Sequence, residues 1–150
     1  MKQDNDSHIH LIKALDNVSR GDNAHALLHE IVKLLKQLLE RDEPSHIDLQ
    51  AIPLSQDDLE MLAETLGEGD ITAEVADIGL THIRATGIPG VWWVLQLDES
   101  DQIIGEFIEI NYCPVALIVP TDDIRDGREA LQARLFEAGM KHKRRKVPRG

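Results

Sequence analysis

The hydrophobic period of this chain switches after Gly69, and that switch limits the folds open to it. From Asn23 to Glu40 the apolar residues Ala24, Leu28, Ile31, Leu35 and Leu38 recur at steps of four and three, widened by Leu27, Leu34 and Leu39. After Gly69 the spacing falls to two, with Ile71, Ala73 and Val75 alternating with Thr72 and Glu74. The first pattern draws a stripe along one side of a helix; the second places alternate residues on one face of a half-buried strand. Helices followed by strands, rather than the two alternating, define an α+β chain.

The spacing predicts a helix over 23–40, capped by Asp22 or Asn23, with Pro44 just past its end. So broad an apolar face must be buried, on its own domain or on a partner helix. Residues 41–54, with Pro44 and Pro53, read as a linker. Ser55 is the expected cap of a second helix, where Asp57, Asp58 and Glu60 suit the positive end of the macrodipole. Leu59, Leu62, Ala63 and Leu66 form its buried face, and Gly67 ends it.

Strands are expected over 71–75, 80–85, 91–97 and 103–112. Gly79, the turn Gly87-Ile88-Pro89-Gly90 and the acidic loop Asp98-Glu99-Ser100-Asp101 join them. Connections this short make the sheet antiparallel. The run Val115 to Val119, held between Pro114 and Pro120, reads as a short buried strand or as an apolar connection. A last helix, capped by Thr121 or Asp122, is expected to bury Ile124, Leu131, Leu135 and Ala138 and to end near Gly139. The expected architecture is an antiparallel sheet of about four strands with helices packed on one face, preceded by a long amphipathic helix. Residues 1–22 read as a flexible segment, 23–140 as one α+β domain and 141–150 as a basic flexible tail.

At 150 residues such a domain can bury a core without disulfides or a structural metal. Aromatic residues make up only 3% of the chain, so Leu, Ile and Val must fill that core. The adjacent pair Trp92-Trp93 is therefore a concentrated use of large side chains. The net charge is −11, and because the last ten residues hold six Lys/Arg and no acid, residues 1–140 carry −17. A body of that charge repels nucleic acid and anionic lipid and attracts cationic segments. One cysteine excludes an intrachain disulfide framework and suits a reducing compartment. The polar start, Met1 to Ser7, has no apolar signal-peptide core, and no apolar run approaches the roughly 18 residues of a membrane span. A cytoplasmic location is the expectation.

Few residues carry a chemistry of their own. His25 and His29 stand one helical turn apart, but Glu30 does not complete an H-E-x-x-H motif, and no Cys/His set has structural-zinc spacing. They read as solvated helix-face histidines, as do His8 and His10 in the polar start, and no metal site or cofactor is expected. Cys113 would need a nearby base to act as a nucleophile, and the strand region supplies only His82; a small buried hydrophobe is the simpler reading. Without C-x-x-C a dithiol activity is excluded. Gly67-Glu68-Gly69 precedes a strand instead of linking a strand to a helix, so it does not read as a phosphate loop. Glu68 and Asp70 are neighbours on a turn, where solvation keeps carboxylates ordinary. No catalytic residue is expected. Trp92 and Trp93, as strand neighbours, point to opposite faces. One ring packs under the helices; the other is exposed unless another segment covers it, and an exposed tryptophan suits a partner interface.

The order and spacing of several short segments resemble the hydrogenase expression proteins of the HupH/HyaF type. The segments are Leu66-Gly67-Glu68-Gly69-Asp70, then Thr86, then Gly90-Val91-Trp92, then Ile108-Glu109-Ile110 running to Pro114, within residues 49–140. The helix over 23–40 lies outside that stretch. The resemblance implies an accessory protein, not an enzyme, needed for active nickel–iron hydrogenase. It further implies a chaperone that holds the iron–sulfur small-subunit precursor before twin-arginine export, alongside other hydrogenase accessory proteins. Trp92, Trp93, Glu68, Asp70 and Glu109 are the candidate partner-contact residues. Two other readings stand beside it: a small cysteine-dependent enzyme using Cys113, and a structural homodimer through the 23–40 seam.

Overall fold

The computed structural model describes residues 21–146, which divide into two compact units meeting at Pro114 and Val115. The first unit holds helix α1 (Asp22–Arg41), strand β1 (Ser45–Asp48), a 3-10 turn (Leu49–Ala51) and helix α2 (Gln56–Leu66). Strands β2 (Thr72–Asp77), β3 (Gly79–Ala85), β4 (Val91–Leu97) and β5 (Ile103–Ile110) follow. The second unit holds a 3-10 turn (Val115–Leu117) and helix α3 (Thr121–Lys146). The flexible segment expected at the start lies outside the described residues, apart from its last two positions.

The sheet is antiparallel throughout, in the order β1-β5-β4-β3-β2. It has five strands where the sequence suggested about four. Ser45-His46-Ile47-Asp48 falls within the expected linker because a four-residue strand with a single apolar side chain gives almost no alternation to detect. Its pairing with β5, Ile47 opposite Ile108, supplies what the local sequence lacks.

The sheet face carrying Val91, Trp93, Ile108 and Ile110 takes the two helices. Leu27, Ile31 and Leu38 of α1 and Leu62 and Leu66 of α2 close over it to form the core. Each such side chain contributes on the order of 1.5–3 kcal/mol when fully removed from water. Much of the α1 seam is thus buried within its own unit, with Leu28, Leu34 and Leu35 half-buried and Leu39 exposed.

The cap of α1 comes from elsewhere in the chain. Gly21 occupies the N-cap with φ 89° and no side-chain cap, and neither Asp22 nor Asn23 takes the role expected of it. Asp58 of α2 does instead: its Oδ1 accepts from Gly21 N at 2.9 Å and Ala24 N at 3.3 Å. The same carboxylate closes the capping box of its own helix with Ser55, accepting from Ser55 N at 3.0 Å.

The segments that carried the family resemblance turn out to be one hydrogen-bonded joint. Gly87 N donates to Leu66 O at 2.8 Å and Gly69 N to Ala85 O at 2.9 Å, fastening the α2–β2 turn to the end of β3. Thr86, buried, donates its hydroxyl to Val91 O at 2.8 Å and locks the β3–β4 turn. Asn111 N reaches Gly90 O at 3.0 Å, and Trp92 Nε1 reaches Asn111 O at 3.0 Å. A Cβ on Gly69 would stand 2.5 Å from Thr86 O, and one on Gly87 would stand 2.9 Å from Leu66 O, so the backbones meet too closely for a side chain. The motif builds the scaffold.

Gly79 is the most demanding glycine of the sheet. It sits at φ +125° in the β2–β3 hairpin, and a Cβ there would come within 2.3 Å of Leu97 O. Gly79→Ala is expected to lower stability by about 1–3 kcal/mol through backbone strain alone. A urea titration followed by circular dichroism checks it; an unchanged midpoint would mean the hairpin relaxes freely.

In the second unit the 115–119 run is the apolar connection of the two readings rather than a buried strand: it includes a 3-10 turn, with Val115, Ile118 and Val119 exposed. Helix α3 continues past Gly139 to Lys146, where the expectation ended it, and Ile124, Leu131, Leu135 and Ala138, expected to be buried, are exposed. Its apolar residues are too thinly spread among Arg125, Asp126, Arg128, Arg134 and Glu137 to form the wide stripe that drives burial.

Candidate partner-binding site

Helices α1 and α2 cover only part of their sheet face. Strand register continues that face from Trp93 to Arg84 and Thr72, and from Leu95 to Glu106 on one side and to His82 and Glu74 on the other. These residues line a groove of about 590 Å³ open to solvent. Trp93 marks the boundary, since it belongs both to the core and to the groove wall.

Inside the groove the polar groups pair in an orderly way. Trp93 Nε1 donates to Glu106 Oε1 at 2.8 Å, which fixes the indole and aims a carboxylate along it. The Arg84 guanidinium lies 5.1 Å from the Trp93 ring centroid, a cation–π distance, and its Nη1 is 3.7 Å from Glu68 Oε1. His82 Nδ1 stands 3.1 Å from Glu74 Oε1. An indole wall, three carboxylates and one stacked guanidinium make a site whose chemistry suits cationic, partly apolar groups. The outer pairs are half-exposed and individually weak, so an incoming charge can replace them at little cost.

Of the five candidate contact residues the structure brings two to this groove. Trp93 is its wall, and Glu68 stands at its rim through Arg84. Asp70 is exposed on the turn. Trp92 and Glu109 are register partners on the opposite sheet face, where Glu109 accepts from Asn111 Nδ2 at 3.2 Å. The rings do point to opposite faces, but neither is exposed: Trp92 is 9% and Trp93 7% accessible. Trp92 spends its N–H on the Asn111 carbonyl, so the freely exposed tryptophan suggested by alternation is not found.

Sequence reasoning missed Glu74, His82, Arg84 and Glu106. The signal was available in part, because a β3–β4 turn centred on Gly87–Gly90 pairs Arg84 with Trp93. Cys113, expected to be buried, is exposed just beyond β5, and its thiol lies 3.7 Å from the Pro114 carbonyl. Among the described residues no three His, Cys, Asp or Glu side chains gather at metal-binding distance, and no helix is long and apolar enough to cross a membrane.

Helices backing one part of an antiparallel sheet, with a carboxylate-rimmed groove on the remainder, define a small α+β module. Residues 22–137 match the family described as HupH hydrogenase expression protein, C-terminal conserved region, and the chain belongs to that family. The match takes in α1, which the sequence resemblance had left outside. The chain is 34% identical over 112 residues to the hydrogenase expression/formation protein HupQ of Azotobacter chroococcum mcd 1, covering 73% of this chain and 39% of that one. It is 29% identical over 110 residues to the hydrogenase-1 operon protein HyaF of Escherichia coli strain K12, covering 73% and 38%. It thus spans about two fifths of the curated relatives it matches. The solved hydrogenase expression protein HupH from Thiobacillus denitrificans ATCC 25259 superposes with a TM-score of 0.75 at 37% identity, over 79% of this chain and 99% of that one. These names place the relatives in the expression and formation of a hydrogenase or in its operon.

Proposed function

We propose that this chain acts in the maturation of nickel–iron hydrogenase as a non-enzymatic chaperone in the cytoplasm. Its client is the iron–sulfur small-subunit precursor before export, held by its cationic signal segment, with other hydrogenase accessory proteins as further partners. The observation that carries the reading is the groove, where the Trp93 ring and Glu68 already hold a guanidinium, that of Arg84, and Glu106 is fixed on the same indole. A client arginine would take the same indole and carboxylates, and the −17 charge of residues 1–140 would speed its approach. Family membership supplies the hydrogenase context.

The test is capture of the small-subunit precursor from hydrogenase-producing cells by the immobilised full chain, eluted with rising salt and identified by mass spectrometry. The precursor should be retained with its signal attached and released by moderate salt. Glu74→Lys with Glu106→Lys should reduce retention at least about tenfold, as expected when two attractive groups of the groove become repulsive to a cationic client. Equal retention by this variant would remove the groove from the proposal. Loss of retention in wild type would remove the client.

A further inference from the structure

Away from the groove, two imidazoles converge on α1. His25 and His29 are both exposed, and their Nε2 atoms lie 3.2 Å apart, with ring centroids 4.7 Å apart and planes at 84°. Such a contact needs one Nε2–H and one lone pair; when the donating ring takes its Nδ1–H tautomer instead, both Nε2 atoms are free to bind one metal ion. Ring nitrogen to zinc distances are about 2.0–2.1 Å, and two such bonds ending 3.2 Å apart subtend about 100–106° at the ion, close to tetrahedral. The ion would sit to one side of the line between the two nitrogens, and exposed rings can turn to aim both lone pairs at it.

We propose that His25 and His29 form a two-imidazole binding site for a transition-metal dication of borderline softness, such as Zn2+, Ni2+ or Cu2+. The donor set selects this class: imidazole nitrogens favour these ions, while Mg2+ and Ca2+ require oxygen ligands. The pair borders a cavity of about 310 Å³ lined also by Leu28, Val32, Met61 and Thr65. The lining beside the pair is largely apolar, and it includes the side chain of Met61. Two imidazoles leave coordination positions open, so the ion would stay exchangeable and accessible to water or to a donor on a second molecule. The site is independent of the groove and of the hydrogenase reading.

Zinc titration of the full-length chain by calorimetry, at pH 7.5 and without an affinity tag, tests it, with Cu2+ electron paramagnetic resonance as the second readout. One equivalent of Zn2+ should bind, and the Cu2+ spectrum should show coupling to imidazole nitrogen. His25→Gln and His29→Gln should each weaken Zn2+ binding at least about tenfold, given that even outer-shell losses cost 10–100-fold. Both positions are exposed, so the circular dichroism of the variants should match wild type. A double His8→Gln/His10→Gln variant should bind as wild type does. Binding that survives His25→Gln and His29→Gln, that disappears with His8 and His10, or that is absent in wild type would overturn the proposal.

Discussion

Trp93→Ala is expected to lower the unfolding free energy by about 3–5 kcal/mol, the range for removing a buried tryptophan. The ring is 7% accessible and packs in the core formed by α1, α2 and the sheet, so its loss leaves a cavity that rigid backbones on both sides cannot close. Two further groups are stranded with it. Glu106 loses the indole N–H that holds its carboxylate at 2.8 Å, and Arg84 loses the ring beneath its guanidinium. Trp93→Phe separates these effects, since it keeps most of the packing and an aromatic face but removes the hydrogen bond; a loss of about 1–2 kcal/mol is expected from it. Urea unfolding followed by far-ultraviolet circular dichroism measures both. Equal midpoints for wild type and Trp93→Ala would show that the ring is not part of the core. Trp93→Phe also bears on the groove, because a folded variant with weakened client binding would tie the indole N–H and Glu106 to recognition.

Periodicity carried the reading of the fold where an element owned its own signal. The stripe from Ala24 to Leu38, the Ser55 cap and the β2–β5 alternation each lie within one segment, and each was visible there. What escaped was decided by distant partners. Strand β1 exists because β5 offers an edge, and the cap of α1 comes from Asp58, more than thirty positions along the chain. The groove was half legible for the same reason. Alternation places His82 and Arg84 on one face of β3, but only register sets Arg84 opposite Trp93 and Glu106 opposite Leu95. Spacing put His25 and His29 on one helix side; the convergence of their Nε2 atoms is a matter of side-chain torsions, which spacing does not report. The Leu66–Asp70 and Gly90–Trp92 segments identified the family, and their work is the close joint between backbones, so the most recognisable residues are not the ones lining the groove.

Asp58→Ala should cost about 2–3 kcal/mol, because one carboxylate caps two helices and each cap contributes roughly 1 kcal/mol or somewhat more when charged. The side chain is 1% accessible and accepts from Ser55 N, Ser55 Oγ, Gly21 N and Ala24 N, so truncation leaves several donors without a partner. The bond from the Ser55 backbone is the main cause that holds its pKa below the ordinary 3.8, with the Ser55 hydroxyl and the Ala24 and Gly21 amides adding to it against the opposing effect of burial. A carboxylate depressed in the folded state stabilises the protein fully above its unfolded pKa of about 3.9. That contribution fades as the pH falls through the unfolded and then the folded value. Asp58→Asn preserves the shape without the charge, and its deficit relative to wild type should therefore be largest at pH 7 and shrink steadily below about pH 4. Paired urea titrations at pH 7 and pH 3 give the difference directly, and other carboxylates, common to both proteins, cancel from it. A deficit that is the same at both pH values would mean that Asp58 acts in the folded protein by shape alone, and its charge would then play no part in joining α1 to α2.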